Sequence, residues 1–438
     1  MKYFGTDGIR QEADKFTKDF INSIIAGLAD YAGTDKKILI GGDTRESSEW
    51  ILQDLSQALE SLGFEYASVG VLPTPAINYC FYEMGFDFAI DVTASHNPYT
   101  DNGIKIFERG PNSGIKLTKP GCEAIEKALE EHKTINIISV TDRTDLHNEA
   151  LEIYKEHLLN YLKEADFSGL SIGMDCANGA MSILNKSVFE QLGAKVELIF
   201  ANEKYSQGIN ADCGSTHLEQ LKSLVRENNL DFGIAYDGDG DRTLLIDHTG
   251  KEVDGDEIIA ILANYLNLDR IAITVMANQG IINWAKSNNI HAEITAVGDS
   301  NVAEAMRTHQ IEIGGEQSGH IILPGEPTGD GMLTSLMITK VISETKKPLH
   351  ELAAIITKFP QVIVNMSATP EQKENLKSSE SAKQLLLEYD EKLKSVDGRL
   401  LVRPSGTEPL IRITLWGNDE LKIATLANEL KEKLGGTL

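Results

Sequence analysis

Three segments of the chain share one alternation of apolar and polar positions. Each has a short apolar run, a small polar turn, an amphipathic stretch and a second apolar run; the segments are 36–70, 170–200 and 269–298. This pattern predicts strand–helix–strand units with parallel strands and right-handed connections. Gly63 and Gly193 follow the amphipathic stretches of the first two segments, where a helix commonly ends in a glycine.

Each unit is followed by a helical stretch and then by one more short apolar run that opens into a polar loop. These runs are 87–92, 231–236 and 311–315. Ligands bind beyond the carboxyl ends of strands in open α/β sheets, so the pattern predicts three loops of different chemistry aimed at a common place. Polar turns also follow strands without any function, and that alternative stays open at this point.

From about residue 366 the pattern changes to that of a small α+β domain. It predicts a charged helix over 371–393, two strands around a polar turn over 398–417, and a closing amphipathic helix over 419–434. We therefore predict an α/β protein: three homologous domains with mixed, mainly parallel sheets, and a small C-terminal α+β domain, arranged around a central cleft. The predicted boundaries are 1–150, 151–252, 253–365 and 366–438.

The composition is that of an acidic protein with enough apolar residues for several cores. Its 438 residues are 41% hydrophobic and carry a formal net charge of −25. That charge disfavours nucleic acid and membrane partners and also repels phosphorylated metabolites, so a phosphate-bearing substrate requires local cations or a metal. With no secretory signal and no membrane-spanning run, we expect a cytoplasmic protein. The cysteines are expected to be reduced, buried thiols: Cys80, Cys122, Cys176 and Cys213.

The loop after the second run, "DGDGDR", alternates carboxylates with glycines. Asp237, Asp239 and Asp241 on one tight turn indicate a site for a hard cation. A calcium EF-hand is excluded because Arg242 stands where glycine is needed and His248 where glutamate is needed. Mg²⁺ completed by a phosphate oxygen is favoured, with Arg242 placed to hold a phosphoryl oxygen. A solvated acidic turn is the alternative.

The loop after the first run, "TASHNP", delivers Ser95 from an apolar strand into a polar turn. Because adjacent residues of an extended chain point to opposite sides, His96 is not expected to pair with the Ser95 hydroxyl. Ser95 is also not part of a G-x-S-x-G turn, the nucleophile turn of serine hydrolases. A phosphoryl carrier fits better, with Arg10, Lys105 and Arg242 as candidate cations, while turn capping stays open for the serine alone.

Two more loops contain groups suited to a phosphosugar. In "GGEQSGH", the Glu316 carboxylate and the Ser318 hydroxyl can both bond a sugar diol, and His320 is a candidate proton carrier or phosphate contact. In "RPSGTEPLIR", hydroxyls, a glycine and two arginines suit a phosphate dianion. Those residues are Arg403, Ser405, Gly406, Thr407 and Arg412. A structural histidine and an ordinary hairpin turn are the respective alternatives.

As a set, "TASHNP", "DGDGDR", "GEQSGH" and "RPSGTEP" resemble the α-D-phosphohexomutases, in that family's order and spacing and over essentially the whole chain. Within the family, "FGTDGIR", "NADCGSTHLE", "KEVDGDEIIA" and "GGEQSGH" resemble the phosphoglucosamine mutase branch. The mannose/glucose branch tends to carry Met where Gln317 stands.

The resemblance implies an isomerase that interconverts glucosamine 6-phosphate and glucosamine 1-phosphate and supplies UDP-N-acetylglucosamine synthesis. It implies phosphoserine at Ser95, a hexosamine 1,6-bisphosphate as intermediate and activator, and one Mg²⁺ held by that phosphate and by Asp237, Asp239 and Asp241. Glu316 and Ser318 would grip the sugar hydroxyls. The non-reacting phosphate would be held by Arg403, Ser405, Gly406, Thr407 and Arg412. The transferring phosphoryl group would be surrounded by Arg10, His96, Lys105, Arg242 and His320.

Some positions depart from the family pattern. Ala296 and Ser300 stand where basic residues are usual, and Gln11 stands where a glycine commonly follows the early arginine. The nearest alternative function is a phosphomannomutase/phosphoglucomutase, which shares the chemistry but not the sugar. A non-catalytic sugar-phosphate-binding protein is a second alternative, and a serine hydrolase is a distant third. We expect a phosphosugar partner and a monomer or homodimer.

Overall fold

The computed structural model describes residues 1–5, 7–138, 144–405 and 409–438. The chain divides into two compact units. The first unit contains Met1–Thr274 and Glu293–Ala354, and the second unit contains Val275–Ala292 and Ile355–Leu438.

The N-terminal part of the first unit is a mixed sheet with helices. Its strands are β1 (Phe4–Gly5), β2 (Gly8–Glu12), β3 (Lys37–Gly42), β4 (Glu65–Val71), β5 (Phe88–Val92), β6 (Asp101–Arg109), β7 (Gly114–Lys116) and β8 (Thr144–Asp145). Its helices are α1 (Lys18–Ala32), α2 (Glu46–Leu62), α3 (Thr74–Glu83), α4 (Lys119–Glu130) and α5 (His147–Leu162). The strand order is β1-β2-β6-β5-β3-β4-β8. The predicted parallel unit is confirmed, because β3 pairs in parallel with β4 on one side and with β5 on the other.

A second mixed sheet follows in the same unit. Its strands are β9 (Ser171–Asp175), β10 (Lys195–Ile199), β11 (Phe232–Tyr236), β12 (Thr243–Asp247) and β13 (Glu252–Val253), in the order β10-β9-β11-β12-β13. Its helices are α6 (Met181–Leu184), α7 (Ser187–Gln191) and α8 (Glu219–Glu227). The single helix predicted between β9 and β10 is replaced by α6 and α7, because Asn185 lies between them with a φ of 33° that no helix accommodates.

The third repeat forms its elements in the predicted order. They are α9 (Gly255–Tyr265), β14 (Arg270–Thr274), α10 (Gln279–Ser287), β15 (His291–Thr295), α11 (Asp299–His309), β16 (Gly314–Gly315), β17 (Ile321–Ile322), α12 (Gly331–Thr345) and α13 (Leu349–Ala353). Strand β16 is parallel to β14 and antiparallel to β17. Helix α9 begins at a capping box formed by Asp254 and Glu257, which satisfies backbone N–H groups at its first turn.

The second unit contains a three-stranded antiparallel sheet with helices. Its remaining elements are β18 (Gln361–Ser367), α14 (Pro370–Ser378), α15 (Glu380–Leu393), β19 (Arg399–Pro404), β20 (Leu410–Trp416) and α16 (Glu420–Thr437), with strand order β18-β20-β19. The continuous helix predicted over 371–393 is wrong. Ser379 has extended backbone angles, and its side chain accepts the Ala382 N–H, so the residue ends α14 and caps α15.

The predicted fold class is confirmed, with mixed α/β sheets followed by a C-terminal α+β region. Gly63 ends α2 at a φ of 82°, as its position predicts. All four cysteines are buried and free of disulfides. In the described part of the chain, no helix combines the length and apolar character that a membrane crossing requires.

Candidate functional site

The hydroxyl of Ser95 lies against the acidic loop of the second sheet. Strand β5 is buried along its length and leads into the loop, where Ser95 is fully buried. Its Oγ donates to Asp237 Oδ2 at 2.7 Å, although the two residues are 142 positions apart. The φ of Ser95 is 53°, a left-handed conformation that is uncommon for a residue with a side chain. The fold therefore holds this serine in a strained turn directly beside a carboxylate.

The expectation that Ser95 and His96 do not pair is wrong. His96 Nδ1 lies 3.3 Å from Ser95 Oγ. The argument assumed an extended chain, and the positive φ of Ser95 turns the backbone so that both side chains reach the same side. Burial, together with the nearby Arg242 and Arg10, lowers the pKa of His96 to about 4, so the imidazole is neutral at pH 7.

Arg45, a residue that the sequence analysis missed, stabilises the Ser95 loop by hydrogen bonds to its backbone. The guanidinium of Arg45 donates to the Ser95 carbonyl at 3.0 Å and to the Asn97 carbonyl at 2.8 Å. It also donates to Asp43 Oδ2 at 2.8 Å, and both side chains of this ion pair are fully buried. Arg45 thus fixes the backbone that carries the serine.

Replacing Arg45 with alanine is expected to lower the free energy of unfolding by about 3–5 kcal/mol, because Asp43 would keep a buried charge without its partner. Urea denaturation measures the change. Lys37→Ala is the matched control on β3, the strand that precedes Arg45, since the ion pair of Lys37 with Glu65 is half exposed and is worth under about 1 kcal/mol. Equal small losses for both variants would contradict the structural role of Arg45.

The three aspartates of "DGDGDR" form a compact buried group. One carboxylate oxygen from each of Asp237, Asp239 and Asp241 lies within 4.8 Å of the others. The loop reaches the serine closely, because a Cβ on Gly238 would lie 2.6 Å from the Ser95 carbonyl oxygen. Buried Oδ1 atoms of Asp239 and Asp241 have no hydrogen-bond partner among the described residues. Unpartnered carboxylate oxygens in this arrangement fit a divalent cation such as Mg²⁺.

Lys105 neutralises part of this acidic group. From strand β6 its Nζ donates to Asp239 Oδ2 at 2.7 Å and to Asp241 Oδ2 at 2.8 Å, and it lies 3.1 Å from Asp7 Oδ2. Burial opposes the charge of Lys105, but Asp239, Asp241 and Asp7 outweigh it and hold the pKa well above its usual value. Burial together with Asp239 and Asp241 instead raises the pKa of Asp237.

A threonine that the sequence analysis did not identify orients the same acidic loop. Thr74 Oγ1 lies 2.6 Å from Asp91 Oδ2 and 3.0 Å from Asp239 Oδ2. The Thr74 backbone N–H also donates to the Asp239 carbonyl at 2.9 Å. The position of the Asp239 carboxylate is therefore set by helix α3 and strand β5 as well as by Lys105.

Arg10 and Arg242 add two guanidinium groups to the cluster. Arg10, on β2, pairs with Asp7, and Arg242 Nε lies 3.9 Å from both Asp237 Oδ2 and Asp241 Oδ1. The Nε atoms of both arginines are buried without a hydrogen-bond partner among the described residues. Buried donors left unpaired in this way favour an anionic ligand beside the aspartates.

The third loop adjoins the second through its backbone. Arg242 and His320 form an isolated antiparallel β-bridge between the two loops, and the Thr243 N–H donates to the Gly319 carbonyl at 3.1 Å. His320 is buried, and both ring nitrogens lack hydrogen-bond partners among the described residues. Glu316 Oε1 accepts the Gly298 N–H at 3.0 Å, whereas Ser318 is exposed. The structure thus brings Ser95, the aspartates, Lys105, Arg10, Arg242 and His320 into one cluster.

The stretch that lacks its usual cations receives one from another part of the fold. Lys116, on β7, contacts both Asp7 and Asp299. Asp299 is the first residue of α11 and lies between Ala296 and Ser300 in the sequence. Sequence reasoning missed Lys116 because it lies 183 positions before its partner. A cation is therefore present beside this loop despite the substitutions at 296 and 300.

The fourth predicted loop lies in the second unit. Arg403 on β19 and Arg412 on β20 are direct cross-strand partners. Burial and the charge of Arg412 lower the pKa of Arg403, and Arg403 Nε is buried without a hydrogen-bond partner among the described residues. Two arginines directly opposite each other are unfavourable without an anion. The Ser405 N–H closes the turn by donating to the Leu410 carbonyl, and Gly406 and Thr407 lie outside the described residues.

A buried serine beside three carboxylates and several cations is an arrangement suited to phosphoryl transfer on an α/β scaffold. Family models for phosphoglucomutase/phosphomannomutase match the chain throughout: α/β/α domain I over residues 1–136, domain II over 152–250, domain III over 254–359 and the C-terminal domain over 340–433. The chain belongs to the phosphoglucomutase/phosphomannomutase family. This confirms the resemblance to the phosphohexomutases, and it makes the chain an isomerase of the phosphosugar-mutase class.

Curated relatives match over nearly the whole chain. A phosphoglucosamine mutase of Caldicellulosiruptor bescii is 42% identical, with 98% of each chain covered. One from Clostridioides difficile is 38% identical, with 99% of each covered.

Solved structures share the fold at low identity. A phosphoglucomutase/phosphomannomutase family protein of Burkholderia thailandensis has a TM-score of 0.79 at 18% identity, covering 99% of this chain and 97% of its own. Aspergillus fumigatus N-acetylphosphoglucosamine mutase, solved with GlcNAc-6P and magnesium, has a TM-score of 0.66 at 16% identity, covering 98% of this chain and 95% of its own.

Proposed function

We propose that the chain is a phosphoglucosamine mutase, which interconverts glucosamine 6-phosphate and glucosamine 1-phosphate through a phosphoserine at Ser95. The observation that carries the proposal is the 2.7 Å contact between Ser95 Oγ and Asp237 Oδ2, inside the carboxylate triad. The curated relatives at about 40% identity support the choice of sugar.

The charges of the cluster support a role for a divalent cation. Four cations, Arg10, Lys105, Lys116 and Arg242, face five carboxylates, Asp7, Asp237, Asp239, Asp241 and Asp299. These charges nearly balance, so the protein alone offers little net attraction to a phosphate dianion. A single Mg²⁺ held by Asp237, Asp239 and Asp241 would make the site positive and neutralise charge on the transferring phosphoryl group.

In this proposal Ser95 carries the phosphoryl group and transfers it to one hydroxyl of the sugar, giving a hexosamine 1,6-bisphosphate. The bisphosphate turns end for end, and Ser95 takes back the other phosphoryl group. Arg10, Lys105 and Arg242 bind the phosphoryl oxygens that develop charge, and His96 and His320 face the same group. A hexosamine 1,6-bisphosphate from solution would also restore the phosphoserine whenever it is lost.

The remaining site residues would orient the sugar in both directions. Glu316 and Ser318 are assigned to the sugar hydroxyls, which are common to both phosphate positions. The non-reacting phosphate is assigned to the second unit, where Arg403 and Arg412 lie directly opposite each other on neighbouring strands. The set is completed by Ser405, Gly406 and Thr407. The four-domain boundaries from the sequence stay a prediction.

Sugar specificity tests this assignment. We expect kcat/KM for glucosamine 6-phosphate to exceed those for mannose 6-phosphate and glucose 6-phosphate by at least about 100-fold, since a site that binds the protonated amino group loses charge-assisted hydrogen bonds with the hydroxyl analogues. The three assays are run side by side with the same activating bisphosphate. A preference for mannose or glucose 6-phosphate would instead assign the chain to phosphomannomutase/phosphoglucomutase. No turnover of any of the three would favour a binding protein.

A further inference from the structure

One cleft of the first unit contains none of the residues assigned to the phosphosugar site. It has a volume of about 510 Å³, which is within the range of small-molecule sites. Apolar side chains line part of it, most of them buried: Leu170, Leu230, Phe232, Ile342 and Leu349. An apolar surface of this kind favours the non-polar body of a ligand.

The rest of the lining has more positively than negatively charged side chains. Arg226, Lys346 and Lys347 are exposed at the cleft, and none of them forms a close ion pair with a described residue. Outside the lining, the charges of Arg226 and Lys346 help to lower the pKa of Glu219 and of Asp166, respectively. His248 and His350 add two imidazoles whose ring centroids lie 4.7 Å apart.

A single carboxylate opposes these cations in the lining. It belongs to Asp231, and its Oδ2 already accepts the Ser171 N–H at 2.7 Å. In a chain with 66 acidic and 41 basic residues, three cations without close ion pairs around one cleft indicate an anionic occupant.

The cleft is separated from the carboxylate triad by the length of the elements that connect them. Strand β11 begins at Phe232 in the cleft and ends at Tyr236, directly before Asp237. Helix α12 begins at Gly331, whose N–H donates to the Gly240 carbonyl of the "DGDGDR" loop at 3.0 Å, and the helix ends beside Lys346. Its 15 residues span about 22 Å, so the cleft and the triad are distinct places.

We infer that this cleft binds a small amphiphilic organic anion, with its non-polar body on the apolar lining and its acidic group on Arg226, Lys346 and Lys347. The site is additional to the phosphosugar reaction and does not depend on the function proposed for Ser95. The lining requires both parts of the ligand. An inorganic anion would leave the apolar side chains uncovered, and a neutral hydrocarbon would leave the cations without a counter-charge.

The test uses the fluorescent probe 8-anilinonaphthalene-1-sulfonate with the full chain, with and without glucosamine 6-phosphate. We expect one saturable site per chain that persists with the sugar phosphate present. Affinity should fall at least about 10-fold in the triple variant Arg226→Glu/Lys346→Glu/Lys347→Glu, which corresponds to about 1.4 kcal/mol. Wild-type affinity should also fall at least about 10-fold for N-phenyl-1-naphthylamine, which has the same rings and no sulfonate.

The matched control reverses three exposed lysines elsewhere, in the variant Lys119→Glu/Lys195→Glu/Lys204→Glu, and should leave the affinity unchanged. Circular dichroism confirms that both variants are folded. Three results would overturn the inference: no saturable binding, displacement of the dye by the sugar phosphate, or equal affinity for the charged and neutral dyes. The last comparison uses only the wild-type chain, so it decides the matter even if the triple variant does not fold.

Discussion

The Ser95→Ala variant is expected to lose mutase turnover by at least about 10⁴-fold, because the variant has no atom that can carry the phosphoryl group. The fold should survive. Alanine suits the buried position, and the lost hydrogen bond to Asp237 costs about 1 kcal/mol. Steady-state turnover of glucosamine 6-phosphate measures the first effect, and urea denaturation measures the second.

Thr100→Ala is the matched control for this variant. Thr100 is an exposed residue five positions along the same loop, and among the described residues its hydroxyl forms one hydrogen bond, at 3.5 Å to Asp101 Oδ1. Its removal should leave turnover unchanged. Full activity of the Ser95 variant would reject the carrier role, whereas equal losses in both variants would indicate that the loop as a whole had been disturbed.

The Asp239→Asn variant is expected to weaken Mg²⁺ binding by at least about 100-fold and to reduce turnover to a similar extent. Affinity for a hard cation depends on the number of charged oxygens, and loss of a direct ligand should cost at least as much as loss of an outer-shell partner. Isothermal titration calorimetry with Mg²⁺ alone measures the affinity independently of any reaction.

Asp247→Asn is the control for the loss of a buried carboxylate. Asp247 lies at the far end of β12 from the triad, where its Oδ1 accepts the Thr249 and Lys251 N–H groups. Asparagine keeps that acceptor, so Mg²⁺ affinity should not change. If Asp239→Asn bound Mg²⁺ as tightly as the wild type, the triad would not be the metal site.

The sequence was sufficient to predict the fold class and the acidic group, because both depend on patterns within short segments of the chain. The strands β5 and β11 are short apolar runs, and the glycines of "DGDGDR" predict a tight turn. That turn places three carboxylates together. Where a local signal was weak the prediction failed. The side chain of Ser379 caps α15 and ends α14, which helical periodicity alone does not register.

The parts of the site that the sequence did not reveal are set by tertiary contacts. The pairing of Ser95 with His96 depends on one left-handed backbone angle, which residue type does not predict for a serine. Arg45 and Lys116 act on groups 50 and 183 positions away, respectively. The sequence "GDTRESS" is typical of an ordinary polar turn. The role of Asp43 and Arg45 becomes visible only in the structure, where they form a buried ion pair and Arg45 binds the backbone of the Ser95 loop.

The central claim is that the Ser95 hydroxyl carries the phosphoryl group. Peptide mass spectrometry of the chain after incubation with Mg²⁺ and a hexose 1,6-bisphosphate tests it most directly. We expect one added phosphate on the peptide that contains Ser95, and its loss when excess glucosamine 6-phosphate is added and bisphosphate is removed. Phosphate found on another residue, or turnover with Ser95 never modified, would contradict the account.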